Sequence, residues 1–427
     1  MAAKLTKKNE KVSPFCGLFY IMDEFNRLLA ASIDAALGKR GKGRGYRYSE
    51  IFLTIFCLYF SGGDCIEDVT TYLKEQLEYR PGCRIPGSDT ILNTISELAE
   101  DNIQYTSEKG NTYEFNPALK LNSLLLDLLL ATKMLDKENK DYTLDFDHEF
   151  LATEKYDAKR TYKHFRGYSP GAATIGNNIV HIENRDGNVN VKFMQSETLK
   201  RIFENLSSHG IHVHRARMDC GSYSHDILKT VMENADLFYI RAERYEALYQ
   251  KAMKHKDWKE VEINNIKCEV LSIPFDAFDD VKHCRLVLQR EKRKNGEQHL
   301  WEKEYTYRCI VTNDWDMEDE EIIVFYNQRG KQEKVFDEMD NDFGWKRLPK
   351  SFMHENSVFL LITAMIKNFF NFIVAKEEMR KFGIKACARI KQLVFKFITV
   401  PGKWVCSHRQ ERLKLFTNRP YELVFAQ

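Results

Sequence analysis

The sequence predicts a mixed α/β fold: a sheet flanked by helices, interrupted by a β-rich insertion and preceded by a helical region. Three observations predict it. Apolar residues recur at helical spacing before residue 100. From Tyr142 the pattern changes to strand alternation. Strands then alternate with helices, which describes an α/β core. The chain has 427 residues, room for two to four domains at roughly 100–200 residues each. Hydrophobic residues make up 43% and aromatics 12%, which excludes wholesale disorder.

Residues 1–137 read as the helical region. Tyr48–Phe60 has apolar residues on several helical faces and a Gly62-Gly63 stop. Ile66–Gln76 carries Ile66, Val69, Tyr72 and Leu73 at helical spacing, and a third helix starts at Ser88 after a Pro/Gly turn. Short helices joined by tight turns suggest a small DNA-binding module. Just before them, five of the nine residues Lys39–Arg47 are Lys or Arg, a candidate phosphate-contacting arm.

The core is expected over 138–245 and 309–376. Thr143–Leu151 alternates as a strand, and Gly176–Ile182 with Asn188–Phe193 reads as a hairpin around Arg185-Asp186-Gly187. Ser196–His209 and Ser224–Asn234 read as helices, Val213–Met218 and Leu237–Ile240 as strands. Residues 246–308 form the insertion: Trp258–Asn264, Lys267–Ile273 and Cys284–Arg290 alternate, and Asn295-Gly296 marks a turn toward Glu304–Val311. A strand at Ile322–Tyr326 and long helices at Arg329–Met339 and Val358–Lys376 follow.

Charge separates the last segment from the rest. Lys and Arg total 64 against 62 Asp and Glu, so a uniformly basic coat is excluded. Residues 377–427 are nonetheless a basic region. Counted from Lys376, 12 Lys/Arg stand against 4 Asp/Glu, a net +8 that leaves −6 for the remainder of the +2 chain. That suits a protein that touches polyanion with one part and gathers carboxylates in another. No uninterrupted apolar run reaches the ~18 residues of a membrane span. Ten cysteines stand singly without C-x-x-C spacing, which argues against a zinc ribbon and fits a reducing compartment.

Three acids stand out by context. Asp147 lies in the first core strand, two residues after Asp145, so the two point the same way and strand geometry alone does not choose between them. Asp219 ends the apolar strand in HRARMDCGSYS, and Glu333 lies in YNQRGKQE, four residues after Arg329 and able to pair with it. At an effective dielectric of about 20, two carboxylates 4 Å apart repel by roughly 4 kcal/mol, so a converging set calls for a cation. Mg²⁺ seeks oxygen and bridges carboxylates to phosphate oxygens.

These residues resemble a DDE transposase of bacterial insertion sequences, the ribonuclease-H-like class with a Tyr-Arg-Glu-Lys signature. Tyr326, Arg329 and Glu333 stand at the signature spacing; Asp340 occupies the Lys position, and Lys346 is the nearest downstream lysine. YKHFRGYSPGAATIGNNIVHIENRDGN resembles the family's segment after the first acid, and DFGWKRLPKSFMHENSVFLLITAMIKNFF the segment after the Glu. The interval from Asp219 to Glu333, 114 residues, is consistent with the family's β-strand insertion.

The resemblance implies a ribonuclease-H-like core in which Asp147 (favoured over Asp145), Asp219 and Glu333 are catalytic and hold two Mg²⁺ ions, with Mn²⁺ as substitute. It implies cleavage and strand transfer on terminal inverted repeats and target DNA, in a homodimer on DNA with no membrane. The setting would be the bacterial cytoplasm, with the protein on the nucleoid when DNA-bound. Tyr326 and Arg329 would hold the DNA backbone, and Arg166, Lys163 and Lys346 are further DNA-binding candidates. Two other readings share these features: a noncatalytic protein of element ends, and a metal-dependent nuclease of the same fold.

Overall fold

The computed structural model describes residues 3–40, 45–243, 246–292, 305–407 and 410–425. Most of the Gly-rich part of the Lys39–Arg47 arm and the Asn295-Gly296 turn lie outside them.

The centre is one eleven-stranded mixed sheet. Its strands are β1 (Ile103–Thr106), β2 (Thr112–Asn116), β3 (Tyr142–His148), β4 (Gly171–Ile175), β5 (Asn178–Arg185), β6 (Val213–Met218), β7 (Leu237–Arg241), β8 (Lys259–Ile263), β9 (Ile266–Pro274), β10 (Arg285–Lys292) and β11 (Tyr305–Thr312). The order across the sheet is β1-β2-β5-β4-β3-β6-β7-β11-β10-β9-β8. β3, β4 and β5 are antiparallel neighbours, while β6 and β7 run parallel to β3. This is the mixed α/β architecture expected from the alternation of strands and helices.

The strands of the 246–308 segment continue this sheet. β11 pairs with β7, Ile240 opposite Val311, and β10, β9 and β8 add on as a meander. Leu271, Ile273, Leu286 and Leu288 share a hydrophobic core with Leu144, Phe146 and Met218 of the central strands. A second helix-rich core joins the N-terminal helices to the C-terminal half.

That second core changes the meaning of the early helices. α1 (Gly17–Leu28) and α2 (Tyr48–Phe60) pack through Phe25 on Phe56, ring centroids 4.9 Å apart, and Phe56 meets Phe369 at 5.7 Å. Every residue of α2 but Glu50 is buried, so this helix has no face free for a DNA groove. The second expected helix is a short π-helical turn, Val69–Leu73, continued by Lys74–Glu78; the third is Ser88–Glu97. α3 (Leu119–Ala131) lies beneath the sheet through Asn122, whose side chain accepts from the Ile182 N–H and donates to the Ile182 carbonyl.

The C-terminal region is also built in. A hairpin of Gly402–Ser407 and Gln410–Leu415 bridges to Ser13, and Cys16 N–H donates to the Val400 carbonyl at 3.1 Å. Part of its positive charge is spent internally: Arg389 pairs with Asp337 and Asp342, and Lys403 with Glu10.

Two local expectations are corrected. The hairpin turns at Gly176-Asn177, with Ile175 opposite Asn178, and not around Arg185–Gly187. Gly176 takes φ +61°, which suits the two-residue turn, whereas Asn188–Phe193 forms turns and no strand. Ile322–Tyr326 is not a strand but part of helix α4 (Asp319–Asn327). A five-residue apolar run does not separate strand from helix by period. The first-turn acids Asp319, Glu320 and Glu321 favour a helix N-terminus. A 3₁₀ turn over Gln328–Gly330 then leads into α5 (Lys331–Asp342).

α6 (Met353–Ala375) is long and apolar enough to cross a membrane, but most of it is buried in the protein's own core. Its Asn368 is hydrogen-bonded to both backbone groups of Ile179 in β5. The ten cysteines are all free.

Candidate active site

β3 and β6 are parallel neighbours, with Phe146 opposite Met218. One residue further, Asp147 and Asp219 come side by side at the carboxyl ends of the two strands. Neighbouring strands lie about 4.8 Å apart, so the carboxylates must feel one another. Asp219 has its carboxyl pushed up from the usual range, first by burial and then by the negative charge of Asp147; Arg329 and Arg241 pull it back. Its Oδ1 accepts the Gly221 N–H at 2.9 Å, capping the Cys220–Ser222 turn and fixing the side chain. Asp147 Oδ1 accepts the His148 N–H at 2.8 Å, and its Oδ2 accepts from Arg329 Nη1 at 2.9 Å.

The strand register also separates Asp145 from Asp147. Asp145 lies opposite Arg217 of β6. The two form a buried bidentate pair, Nε to Oδ1 and Nη2 to Oδ2, both at 2.7 Å. Arg217 Nη1 donates onward to the Phe325 carbonyl at 2.7 Å, fastening α4 over the strands. Both Asp145 oxygens are thus consumed by a structural pair, whereas Asp147 is more open, with 21% of its side chain exposed against 5% for Asp145.

The signature residues take different places. Tyr326 is buried, and its hydroxyl donates to the Met218 carbonyl at 3.2 Å, one residue before Asp219. Burial pushes its phenol up to about 12. Its hydroxyl therefore braces α4 against the end of β6. Arg329 is three-quarters buried or more by side chain. Burial works against its charge, but Asp147, Tyr326 and Asp219 outweigh that and hold its pKa above the ordinary value. The expected Arg329–Glu333 pair does not form, because Arg329 turns to Asp147. Glu333 is exposed on α5, and its side chain makes no hydrogen bond or ion pair among the described residues. α5 is anchored one residue earlier by Gln332, whose Nε2 donates to the Ala172 carbonyl at 2.9 Å.

Two further acids border the site. Glu149 has its carboxyl pushed up by burial and by the charges of Asp340 and Asp147, with Lys163 acting the other way. Asp340 is pushed up by burial and relieved by Lys346, whose ammonium lies 3.4 Å from it. The residue at the signature Lys position is therefore an acid facing other acids. The signal for Glu149 was its place two residues after Asp147 on an extended segment; for Asp340, its spacing from Glu333.

The remaining candidates divide. Lys163 is exposed with its ammonium 4.8 Å from the Phe150 ring centroid, on the Glu149 side of the site. Lys346 is exposed beside Asp340. Arg166 belongs to a small three-stranded sheet, where its guanidinium donates to the Ala158 carbonyl at 2.9 and 3.1 Å, holding the 155–158 turn. The donors at the carboxylate centre are all oxygens, which fits a hard divalent cation such as Mg²⁺.

A search of curated proteins finds no match. Six chains of solved structures match. One is a piggyBac transposase synaptic complex with hairpin DNA, similar at a TM-score of 0.46 and 10% identity, over 92% of this chain and 80% of that one. The model of the transposase DDE domain group 1 family matches residues 94–427, from the end of the N-terminal helices through the sheet, its acids and the C-terminal region. With more than three quarters of its length inside that match, the chain belongs to the DDE transposase domain family.

Proposed function

We propose that the chain is the DNA transposase of an insertion sequence, binding terminal inverted repeats and catalysing metal-dependent cleavage and strand transfer. The observation that carries this reading is the Asp147–Asp219 pair at adjacent parallel strand ends, faced by the Arg329 guanidinium. We take the order β5-β4-β3-β6-β7 as a ribonuclease-H-like core with its acids where the first two parallel strands end.

Asp147 and Asp219 would hold Mg²⁺, with Glu333 supplying a third carboxylate from α5, one turn after Arg329. A divalent cation there supplies the charge that activates a water or a DNA 3′-hydroxyl and steadies the leaving oxygen of a phosphodiester. The chain's own groups hold the geometry. The Asp219 carboxylate is oriented by the Gly221 N–H, and the strand end beneath it by Tyr326. Arg329 stays charged through neutral pH and can serve a phosphate as well as Asp147. Lys163 and Lys346 are exposed cations at the rim for the DNA backbone. Two copies of the chain acting on two element ends would form the working complex.

The test offers element ends, uncut or precleaved with a free 3′-hydroxyl, to the full chain with Mg²⁺. Cleavage and joining, both lost in Asp147→Asn and Asp219→Asn, are expected. Hydrolysis without joining would reassign the chain as a nuclease. Binding with neither reaction would make it a noncatalytic protein of element ends.

A further inference from the structure

The other end of β6 and β7 carries a second cluster of ligand-type side chains. Arg215 lies opposite Leu237, so His214 and Asp236 face one another just before that pair, and His212 is two residues back on the same face. His212 Nε2 lies 2.7 Å and His214 Nδ1 2.8 Å from the same oxygen, Asp236 Oδ2. One ligand atom from each of the three residues lies within 4.8 Å of the others, the one such group of three among the described residues. We propose that His212, His214 and Asp236 form a binding site for a transition-metal ion of the Zn²⁺ class, separate from the carboxylate centre.

The donor chemistry selects the ion. Two imidazoles and one carboxylate suit Zn²⁺, Ni²⁺ or Cu²⁺, whereas Mg²⁺ favours oxygen alone. A Zn²⁺ ion sits about 2.0–2.2 Å from each ligand, so drawing these three atoms slightly apart admits it in place of the two imidazole protons. The site opens to water, with 43%, 29% and 49% of the three side chains exposed, which leaves coordination positions for solvent or a further ligand. A cleft of about 670 Å³ lined in part by Phe203, Ser207, Glu233 and Asp236 gives an entry path. His214 stands five residues before Asp219 along β6, about 16 Å at 3.3 Å per residue, so an ion here cannot share ligands with the proposed catalytic carboxylates. It would instead clamp the starts of the two strands whose other ends carry Asp219 and Arg241.

The test is equilibrium dialysis of the full chain against Zn²⁺, with bound metal quantified, beside thermal melts with and without Zn²⁺. It compares wild type, His212→Asn, the His212→Asn/His214→Asn double variant and Asp147→Asn. One Zn²⁺ per wild-type chain is expected, with a melting temperature raised by the ion. Losing a ligand should weaken binding by at least about 100-fold, since disturbing even the groups behind the ligands costs 10–100-fold. Asp147→Asn should bind Zn²⁺ as wild type does. Should the double variant melt early without metal, the exposed single His212→Asn carries the same comparison. Zn²⁺ uptake equal in wild type and His212→Asn, or no uptake by wild type at micromolar Zn²⁺, would overturn the site.

Discussion

Arg329 Nη1 donates to Asp147 Oδ2 at 2.9 Å, an ion pair between residues 182 positions apart that ties the turn leading into α5 to the carboxyl end of β3. Two residues away on the same strand face, Asp145 is paired just as directly with Arg217. One pair is deep in the fold and the other lies at the mouth of the site. That difference gives the two acids opposite roles.

Asp145→Asn and Asp147→Asn should therefore fail in different ways. Removing one partner of a buried pair leaves an uncompensated charge and costs about 3–5 kcal/mol. Asp145→Asn should lower the melting temperature markedly, with cleavage persisting in the fraction that stays folded. Asp147→Asn should melt near wild type and lose Mg²⁺-dependent cleavage. Melting curves and an end-cleavage assay on both variants decide it; an Asp147→Asn protein that still cleaves would move the ligand elsewhere.

Tyr326→Phe separates a brace from a DNA contact. The hydroxyl is buried on the Met218 carbonyl, so its loss should cost about 1 kcal/mol of stability, the net worth of one hydrogen bond. DNA affinity in a gel shift should not change. A loss of affinity with unchanged stability would restore the phosphate-holding role expected from the signature.

Much of the fold could be read from the chain because its strands are strongly patterned. β6, β7 and the insertion strands all fall within a residue or two of the alternation that marks them, while β3 ends at His148, three residues short of the expected Leu151. Pairing across the sheet could not be read, because register depends on neighbours far away in sequence. The Arg217–Asp145 pair, which resolves the ambiguity between two acids on one face, exists only once β6 lies beside β3. Likewise Arg329 and Glu333 share a helix spacing, but the stronger attraction for Arg329 comes from a strand 182 residues away. The helix Tyr48–Phe60 was legible, with apolar residues on several faces, but the core that surrounds it was not, because its partners, Phe369 among them, lie hundreds of residues away.

Asp186 should make the protein more stable in mild acid than its overall charge suggests. Burial pushes its carboxyl up from 3.8 to about 6, against the pull of the Glu114 N–H it accepts. A raised folded pKa means the folded state holds the proton more tightly. Stability is lost as pH rises from 3.8 through about 6, and the full penalty applies above that. One pKa unit is worth about 1.4 kcal/mol, so the penalty reaches up to about 3 kcal/mol at neutral pH. Asp186→Asn keeps an oxygen for the Glu114 N–H and removes the charge. It should raise the melting temperature at pH 8 and leave it little changed near pH 4. Equal effects at both pH values would show that the charge is not the cause.

Asp340→Lys tests what the acid at the signature Lys position costs. Asp340 is neighboured by Glu149 and paired with Lys346, so it adds negative charge where DNA phosphates are proposed to approach. Replacing it with Lys reverses one charge and releases Lys346 from its partner. Each added phosphate contact steepens the fall of log K with log salt by about 0.9. Binding to element ends should tighten at low salt, and the slope should steepen by about 1–2. Cleavage should persist, because the replaced acid is not assigned to the metal. Glu333→Gln is the counterpart. It should abolish cleavage while leaving binding intact or slightly tighter, and combining it with Asp219→Asn should cost little more than either change alone. If Asp340→Asn abolishes cleavage and Glu333→Gln does not, the third carboxylate is Asp340, reaching the site from the far end of α5.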